Sequence, residues 1–152
     1  MSSQTILPQE ISLPAHLWMP PDGLAFDYTS YIALPVIAAS GVVVTFTVPE
    51  GFHGVIKRVG NVIVGGGWTE GSGSLIWQIL ANAGVIRNYD NILASLGAVN
   101  NPAETAGILV YEQQLVVLQV SNVSLAAGGV QAGGRLSGWF YPKWRATEDS
   151  IW

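Results

Sequence analysis

Residues 42–64, VVVTFTVPEGFHGVIKRVGNVIV, decide the fold. Two runs rich in β-branched residues, at 42–48 and 54–64, flank the turn sequence Pro49-Glu50-Gly51. β-Branched side chains pack well on a pleated sheet, whereas proline and glycine favour turns. This stretch therefore predicts two consecutive β-strands joined by a short connection.

The same pattern continues along the chain. Strand-like runs recur roughly every 8 to 12 residues and are separated by turn residues such as Asn82-Ala83-Gly84. These runs lie at 75–80, 85–87, 92–99, 108–111, 115–120 and 135–141. No amphipathic helical stretch of useful length lies between them. We expect an all-β, single-domain, jelly-roll-like β-sandwich over residues 32–142.

One strand shows its two faces clearly. In RLSGWFY, residues 135–141, Leu136 and Phe140 share one face, while Ser137, Trp139 and Tyr141 share the other. Aromatic residues on both faces indicate a strand covered on both sides, by its own core and by a neighbouring subunit. Trp77 and Trp139 lie in apolar strands, which favours core or subunit contacts, and we predict a subunit interface at Trp77, Trp139 and Tyr141.

The first 31 residues differ in character, because they carry four of the eight prolines. Proline at this density disfavours helix interiors and central strands. Large apolar residues are nevertheless frequent, and the segment is predicted to be an extended docking arm, residues 1–31, that lies in a groove of a partner or wraps its own domain. The predicted docking residues are Ile6, Leu7, Ile11, Leu13, Leu17, Trp18, Met19, Phe26, Tyr28 and Tyr31. The tail at 143–152, with Trp144 and Trp152, is predicted to be a second docking point.

The chain is poor in charge. Residues 32–142 contain four basic and five acidic residues, about 8 per cent, against about 25 per cent in an average soluble domain. Such a surface is poorly soluble for an isolated monomer, so we expect other subunits to cover much of it. The net charge of −4 disfavours nucleic-acid binding, which requires clustered Lys and Arg. No apolar stretch reaches the length of a membrane span, and no secretory signal begins the chain.

The sequence GGGWTEGSGS at 65–74 resembles a phosphate-binding loop only superficially. The spacing of Gly66 and Gly71 fits a P-loop, but Ser72 stands where the lysine is required. A strand-like run follows the glycines, whereas a phosphate site needs a helix N-terminus there. We interpret this stretch as a connection between two strands.

Catalytic and metal-binding patterns are not evident in the sequence. There is no cysteine, and His16 and His53 lack a second ligand at metal-binding spacing. The acids of the body fall at predicted turns or strand ends, which is typical of surface charges. We therefore expect no enzyme activity, no metal and no cofactor.

Six tryptophans leave a sugar-binding alternative open, because sugar rings stack on exposed indoles. Its candidate ligand loop is Trp68, with Asn61 and Asn88 as hydrogen-bonding partners.

The body also resembles a known family along 42–143. The shared residues are VPEGFHGVI at 48–56, Gly67-Trp68, GSG at 71–73, LIWQI at 75–79, Arg87-Asn88-Tyr89 and LSGWFYP at 136–142. These stretches are similar to small jelly-roll head decoration, or cement, proteins and fibre-like proteins of tailed phages.

This resemblance implies a structural virion protein. It implies a homotrimer made in the host cytoplasm that binds the outside of the major capsid protein shell and stabilises capsomer joints. Its partners would be other copies of itself and the major capsid protein. A receptor- or glycan-binding fibre or spike head, or a carbohydrate-binding module, is the alternative.

Overall fold

A computed structural model describes residue 15 and residues 17–64, 75–90, 97–99, 101–123 and 131–145 of the chain. Nine β-strands follow one another in these residues: β1 (Leu24–Ala33), β2 (Ser40–Thr47), β3 (Phe52–Val64), β4 (Leu75–Ala81), β5 (Gly84–Asp90), β6 (Gly97–Ala98), β7 (Asn101–Val110), β8 (Leu115–Asn122) and β9 (Gln131–Pro142). No helix among them is long and apolar enough to cross a membrane.

The strands form two antiparallel sheets that pack together. One sheet has five strands in the order β1-β9-β3-β7-β6, and the other has four in the order β2-β8-β4-β5. The chain crosses repeatedly between the sheets, and β9 returns beside β1. This connectivity is that of a jelly roll, so the predicted all-β sandwich is confirmed.

The β4–β5 hairpin shows how local sequence sets one connection. Ala81 pairs with Gly84, so the loop has two residues, Asn82 and Ala83. Both have positive φ, 49° and 68°, as a type I′ turn requires. Asn tolerates this conformation well, and the expected turn at this position is confirmed.

The core lies between the sheets. Alternate residues of each strand point inward, including Leu75, Trp77 and Ile79 on β4 and Leu118 on β8, all fully buried. Each such apolar side chain stabilises the fold by about 1.5–3 kcal/mol through the hydrophobic effect. The predicted faces of β9 are also confirmed, because Leu136 and Phe140 belong to this core.

The predicted boundary of the arm is wrong. Residues 24–31 form most of β1, which pairs with β9 from Leu24↔Phe140 to Ala33↔Gln131. Phe26 is 7% exposed and packs within the core, 4.6 Å from Phe140 between ring centroids. The prolines of the first 31 residues all precede β1, so they do not interfere with its pairing. Residues 24–31 therefore belong to the sandwich.

Candidate functional site

The outer face of the five-stranded sheet carries a charged cleft. A bulge in β3 places two residues, Lys57 and Arg58, opposite the single residue Ser137 of β9. A bulge of this kind turns neighbouring side chains toward the same side of the sheet. Lys57 and Arg58 both line the cleft, where the alternation of a regular strand would have pointed one of them into the core.

An ion pair between Asp27 and Arg135 joins β1 and β9 on the outer face of the five-stranded sheet. Arg135 on β9 donates from Nε to Oδ1 of Asp27 at 2.8 Å and from Nη2 to Oδ2 at 2.6 Å. Its Nη1 donates to the carbonyl oxygen of Val99 at 2.9 Å. The hydrogen bond from Arg135 lowers the pKa of Asp27, and the same bond raises the pKa of Arg135. This fork is the geometry in which Arg and a carboxylate pair most strongly.

The other cations of the cleft are held more loosely. Lys57 Nζ donates to the carbonyl oxygen of Thr105 at 3.3 Å. Arg58 and Glu104 approach to 4.0 Å, with side chains 55% and 65% exposed. An exposed pair at that distance contributes about 0–1 kcal/mol, so both groups can reorient toward a partner.

The N-terminal segment, residue 15 and residues 17–23, closes one side of the cleft. Ala15 is 2% exposed and packs with Val55, Trp139 and Tyr141 on the outer face of the five-stranded sheet. Trp139 Nε1 donates to the carbonyl oxygen of Ala15 at 2.7 Å. Three consecutive apolar residues of the segment, Leu17, Trp18 and Met19, are exposed.

The cleft has a volume of about 650 Å³ and combines charged side chains of the sheet with apolar side chains of the N-terminal segment. Its lining residues are Leu17, Trp18, Met19, Phe26, Asp27, Lys57, Arg58, Glu104, Arg135, Ser137, Gly138 and Trp139. In a chain so poor in charge, three cations and two anions lie together beside an exposed indole. The arrangement offers apolar contact and charged hydrogen bonds, which suits binding.

A second polar cluster lies where β3 begins and where β7 and β9 end. His53 Nδ1 accepts a hydrogen bond from the backbone nitrogen of Glu112 at 3.1 Å. The carboxylate of Glu112 accepts hydrogen bonds from Gly51 N and, at 3.0 Å, from Lys143 Nζ. Burial lowers the pKa of His53, and the backbone hydrogen bond from Gly51 lowers the pKa of Glu112.

This cluster links the β2–β3 connection, the β7–β8 connection and the residue that follows β9. His53 is the second residue of β3. Its ring also contacts Tyr111 and Tyr141 edge-on, at 5.2 and 6.1 Å between centroids. Within the described residues, no three acidic or histidine side chains are placed to hold a metal ion.

The prediction that Trp77, Trp139 and Tyr141 form a subunit interface is wrong, because the single chain buries all three side chains. Trp77 is fully buried and faces the core between the sheets. Trp139 and Tyr141 are 8% and 3% exposed, because the chain's own N-terminal segment covers them. A second cover over β9 was correctly inferred, and at Ala15 that cover is the same chain.

The predicted docking residues of the arm are divided by the structure. Leu17, Trp18 and Met19 are 41%, 61% and 50% exposed, and Tyr28 and Tyr31 are 39% and 50% exposed on β1. Phe26 is a core residue and is removed from the docking set. Ile6, Leu7, Ile11 and Leu13 lie outside the described residues.

Of the two tail residues, only Trp144 is described. It is 52% exposed, with the guanidinium of Arg145 at 4.6 Å from its ring centroid, and Arg145 Nε donates to Asp22 Oδ1 at 2.8 Å. The beginning of the tail therefore lies against the N-terminal segment. Trp152 is outside the described residues.

The predicted ligand loop is not assembled by the described residues. Asn61 is 1% exposed on β3 and pairs with Gly134, an inward-facing position, so it is a core residue. Asn88 lies on β5, and its side chain is outside the described residues, as is Trp68. The placement of Asn61 contradicts its assignment to a ligand site.

The charged cleft was not predicted from the sequence. The only local signal is alternation, because Asp27 alternates with Phe26 and Tyr28, and Arg135 with Leu136, a pattern typical of outward positions on a strand. Asp27 and Arg135 are 108 positions apart in the chain and lie close together because β1 pairs with β9.

No model of a known protein family and no curated protein matches this chain. The likeness to phage head decoration proteins therefore stays a prediction.

Proposed function

We propose that this chain is a structural protein of a tailed-phage virion, a capsid decoration or cement protein. It binds the outside of the major capsid shell as a homotrimer and stabilises the joints between capsomers. The observation that carries the proposal is the exposure of Leu17, Trp18 and Met19 on a segment anchored to the sandwich through Ala15.

Anchored apolar side chains suit docking for a thermodynamic reason. Burying a large apolar side chain stabilises a complex by about 1.5–3 kcal/mol. Because the contact of Ala15 with Trp139 already holds the start of the segment, less conformational entropy is lost on binding. Three such residues in succession therefore form an efficient contact surface.

The charged cleft beside this segment supports recognition of one partner orientation. Complementary charges across an interface favour the correct partner and disfavour others. Arg58 and Glu104 are available for this role because their mutual contact is weak. A capsid surface with an acidic and a basic group at matching positions would satisfy both.

Stabilisation of the shell would follow from mass action. A protein that binds the assembled shell in preference to its separated parts shifts the equilibrium toward the shell. In a trimer, docking of one subunit raises the effective concentration of the other two. The trimer would act on the virion surface after synthesis in the host cytoplasm.

The test is co-sedimentation with shells assembled from the major capsid protein of the same genome. We expect a variant with Leu17→Ala, Trp18→Ala and Met19→Ala to lose shell binding while its thermal unfolding stays unchanged. The matched control is Val36→Ala with Ile37→Ala, which removes exposed apolar groups beyond the other end of β1. Equal shell binding by both variants would contradict the proposal.

The receptor- or glycan-binding head is retained as a second candidate because Trp18, 61% exposed, lies at the edge of the cleft. Under this alternative, Trp18→Ala abolishes binding to host-cell envelopes, and wild-type protein does not co-sediment with shells. The same two binding measurements therefore separate the candidates.

A further inference from the structure

We infer that the copies of this protein associate through the outer face of β2, β4 and β8 in the four-stranded sheet. We call this surface the neutral face and define it as the outward side chains of β2, β4 and β8. The inference rests on the proposed homotrimer and names the surface that would form it. It replaces Trp77, Trp139 and Tyr141, which the single chain buries.

The neutral face contains no charge. None of the residues of β2, β4 or β8 is Asp, Glu, Lys or Arg. Asp27, Lys57, Arg58, Glu104 and Arg135 belong to the five-stranded sheet, whereas Arg87 and Asp90 lie on the edge strand β5 of the four-stranded sheet, outside the neutral face. The neutral face therefore differs in chemistry from the outer face of the five-stranded sheet, as expected if the two contact different partners.

The apolar content of the neutral face is high for a surface. Val42 and Leu115 are 48% and 47% exposed. Ile76, Leu80 and Val117 also point outward and are half-buried. On a soluble monomer these side chains would remain in water, where each is unfavourable compared with a covered position.

Four polar side chains of the neutral face are paired with one another. Gln119 Nε2 donates to Gln78 Oε1 at 3.3 Å, and Ser40 and Ser121 hydrogen-bond through their hydroxyls at 2.7 Å. Covering the face would therefore leave few polar groups without partners, which would otherwise be costly.

These properties favour a second copy over a charged partner. A partner with Lys, Arg, Asp or Glu at the contact would bury a charge that the neutral face cannot pair. Another neutral face carries no such charge, so identical faces are chemically complementary. Around a three-fold axis, one side of each neutral face would contact the opposite side of the next copy's face, and Gln119 near the centre would lie close to the axis.

The size of the face is also suitable. Strands about 4.8 Å apart, with about 3.3 Å per residue, give the three strands of about eight residues an area of about 380 Å². The largest patch on a typical monomer is about 300–600 Å² and is often a binding site.

The experiment uses Gln119, which points outward near the centre of the face and pairs with Gln78 across the strands. We expect the full-length wild-type protein to have three times the chain mass of 16.1 kDa by light scattering. Gln119→Lys and Gln119→Glu, each alone, should weaken association at least about a hundredfold, because like charges would meet between copies.

The decisive measurement is made on a mixture of the two variants. If identical faces meet, Gln119→Lys and Gln119→Glu chains should associate with each other, because opposite charges then face across the interface. Thr29→Lys, on the exposed outer side of the edge strand β1, is the matched control and should leave the mass unchanged. Circular dichroism checks that each variant is folded, and Gln78→Lys with Gln78→Glu repeats the test should either Gln119 variant unfold.

The outcomes separate the inference from the proposed function. A wild-type trimer that both variants retain overturns the inference and leaves the homotrimer standing. Variants that dissociate but do not associate when mixed also overturn it, because the face then meets a different surface. Variants that stay trimeric but lose shell binding assign the face to the capsid instead. A wild-type monomer overturns both the inference and the homotrimer.

Discussion

The indole nitrogen of Trp139 donates a hydrogen bond to the carbonyl oxygen of Ala15 at 2.7 Å, across 124 positions of the chain. This bond joins the last strand of the sandwich to the segment that presents Leu17, Trp18 and Met19. The position of these three docking residues therefore depends on a small buried cluster on the outer face of the five-stranded sheet, separate from the main core.

Trp139→Phe tests this anchor. Phenylalanine retains an apolar ring but removes the donor, so the buried hydrogen bond to the carbonyl of Ala15 is lost at a cost of about 1–3 kcal/mol. We expect a lower free energy of unfolding in urea and faster protease cleavage within 17–23. Trp144→Phe, at a 52% exposed position, is the control and should change neither measurement. Unchanged cleavage in Trp139→Phe would show that the bond does not hold the segment.

Truncation tests the corrected boundary of the arm. Removal of residues 1–14 should leave a folded sandwich, because all nine strands and the contact of Ala15 with Trp139 are retained. Removal of residues 1–31 should prevent folding or cause aggregation, since it deletes most of β1 and exposes the edge of β9. Circular dichroism and light scattering measure both. A soluble, folded chain lacking residues 1–31 would contradict the assignment of β1 to the sandwich.

Trp77→Ala distinguishes a core residue from a subunit contact. Because Trp77 is fully buried in the core of one chain, its removal should cost about 3–5 kcal/mol at any protein concentration. Val123→Ala, at a 48% exposed position, should stay within about 0.5 kcal/mol of wild type. Urea denaturation at two protein concentrations is the measurement. A loss of stability that vanishes on dilution, together with a changed mass, would restore Trp77 as an interface residue.

Gly138→Ala tests the packing opposite the β3 bulge. A β-carbon at position 138 would overlap the carbonyl oxygen of Val55, a backbone atom that cannot rotate away. We expect destabilisation of at least about 3 kcal/mol, measured by thermal unfolding. Gly84→Ala is the control, because its nearest new contact is an ordinary 3.4 Å from the carbonyl oxygen of Ala81. Equal melting temperatures for the two variants would be inconsistent with the close approach of β9 to β3.

The half-buried ring of His53 predicts a pH dependence of stability. Burial holds the pKa of His53 below its usual value of 6.5, so the unfolded chain binds more protons than the folded chain just below pH 6.5. Stability should therefore fall as the pH decreases from 6.5 and level off below the folded pKa. The lowered pKa values of Asp27 and Glu112 stabilise the fold at neutral pH, and this stabilisation is lost only as the pH falls below their usual values of 3.8 and 4.5.

Urea unfolding at pH 7.5, 6.5 and 5.5 measures this dependence. His53→Gln removes the titrating ring and retains His16, so its stability should vary less across this range. An identical pH profile for wild type and His53→Gln would exclude His53 as the source.

Local sequence determined the strands and the class of fold. The runs VVVTFTV and GVIKRVGNVIV became β2 and most of β3, because β-branched residues between proline and glycine turns favour extended structure. The two faces of β9 followed equally from alternation. β1 was missed, because the nearby prolines suggested an irregular arm although none lies within the strand itself.

The site and the contacts of the aromatic residues depended on tertiary structure. Asp27 meets Arg135 only because β1 pairs with β9, and Lys57 joins Arg58 in the cleft only because a bulge interrupts β3. Trp77 and Trp139 both lie in apolar strands, yet one faces the opposing sheet and the other the N-terminal segment. The sequence by itself thus determined which residues alternate along each strand. Only tertiary structure decided which strands are neighbours and which faces are covered, because those contacts join residues far apart in the chain.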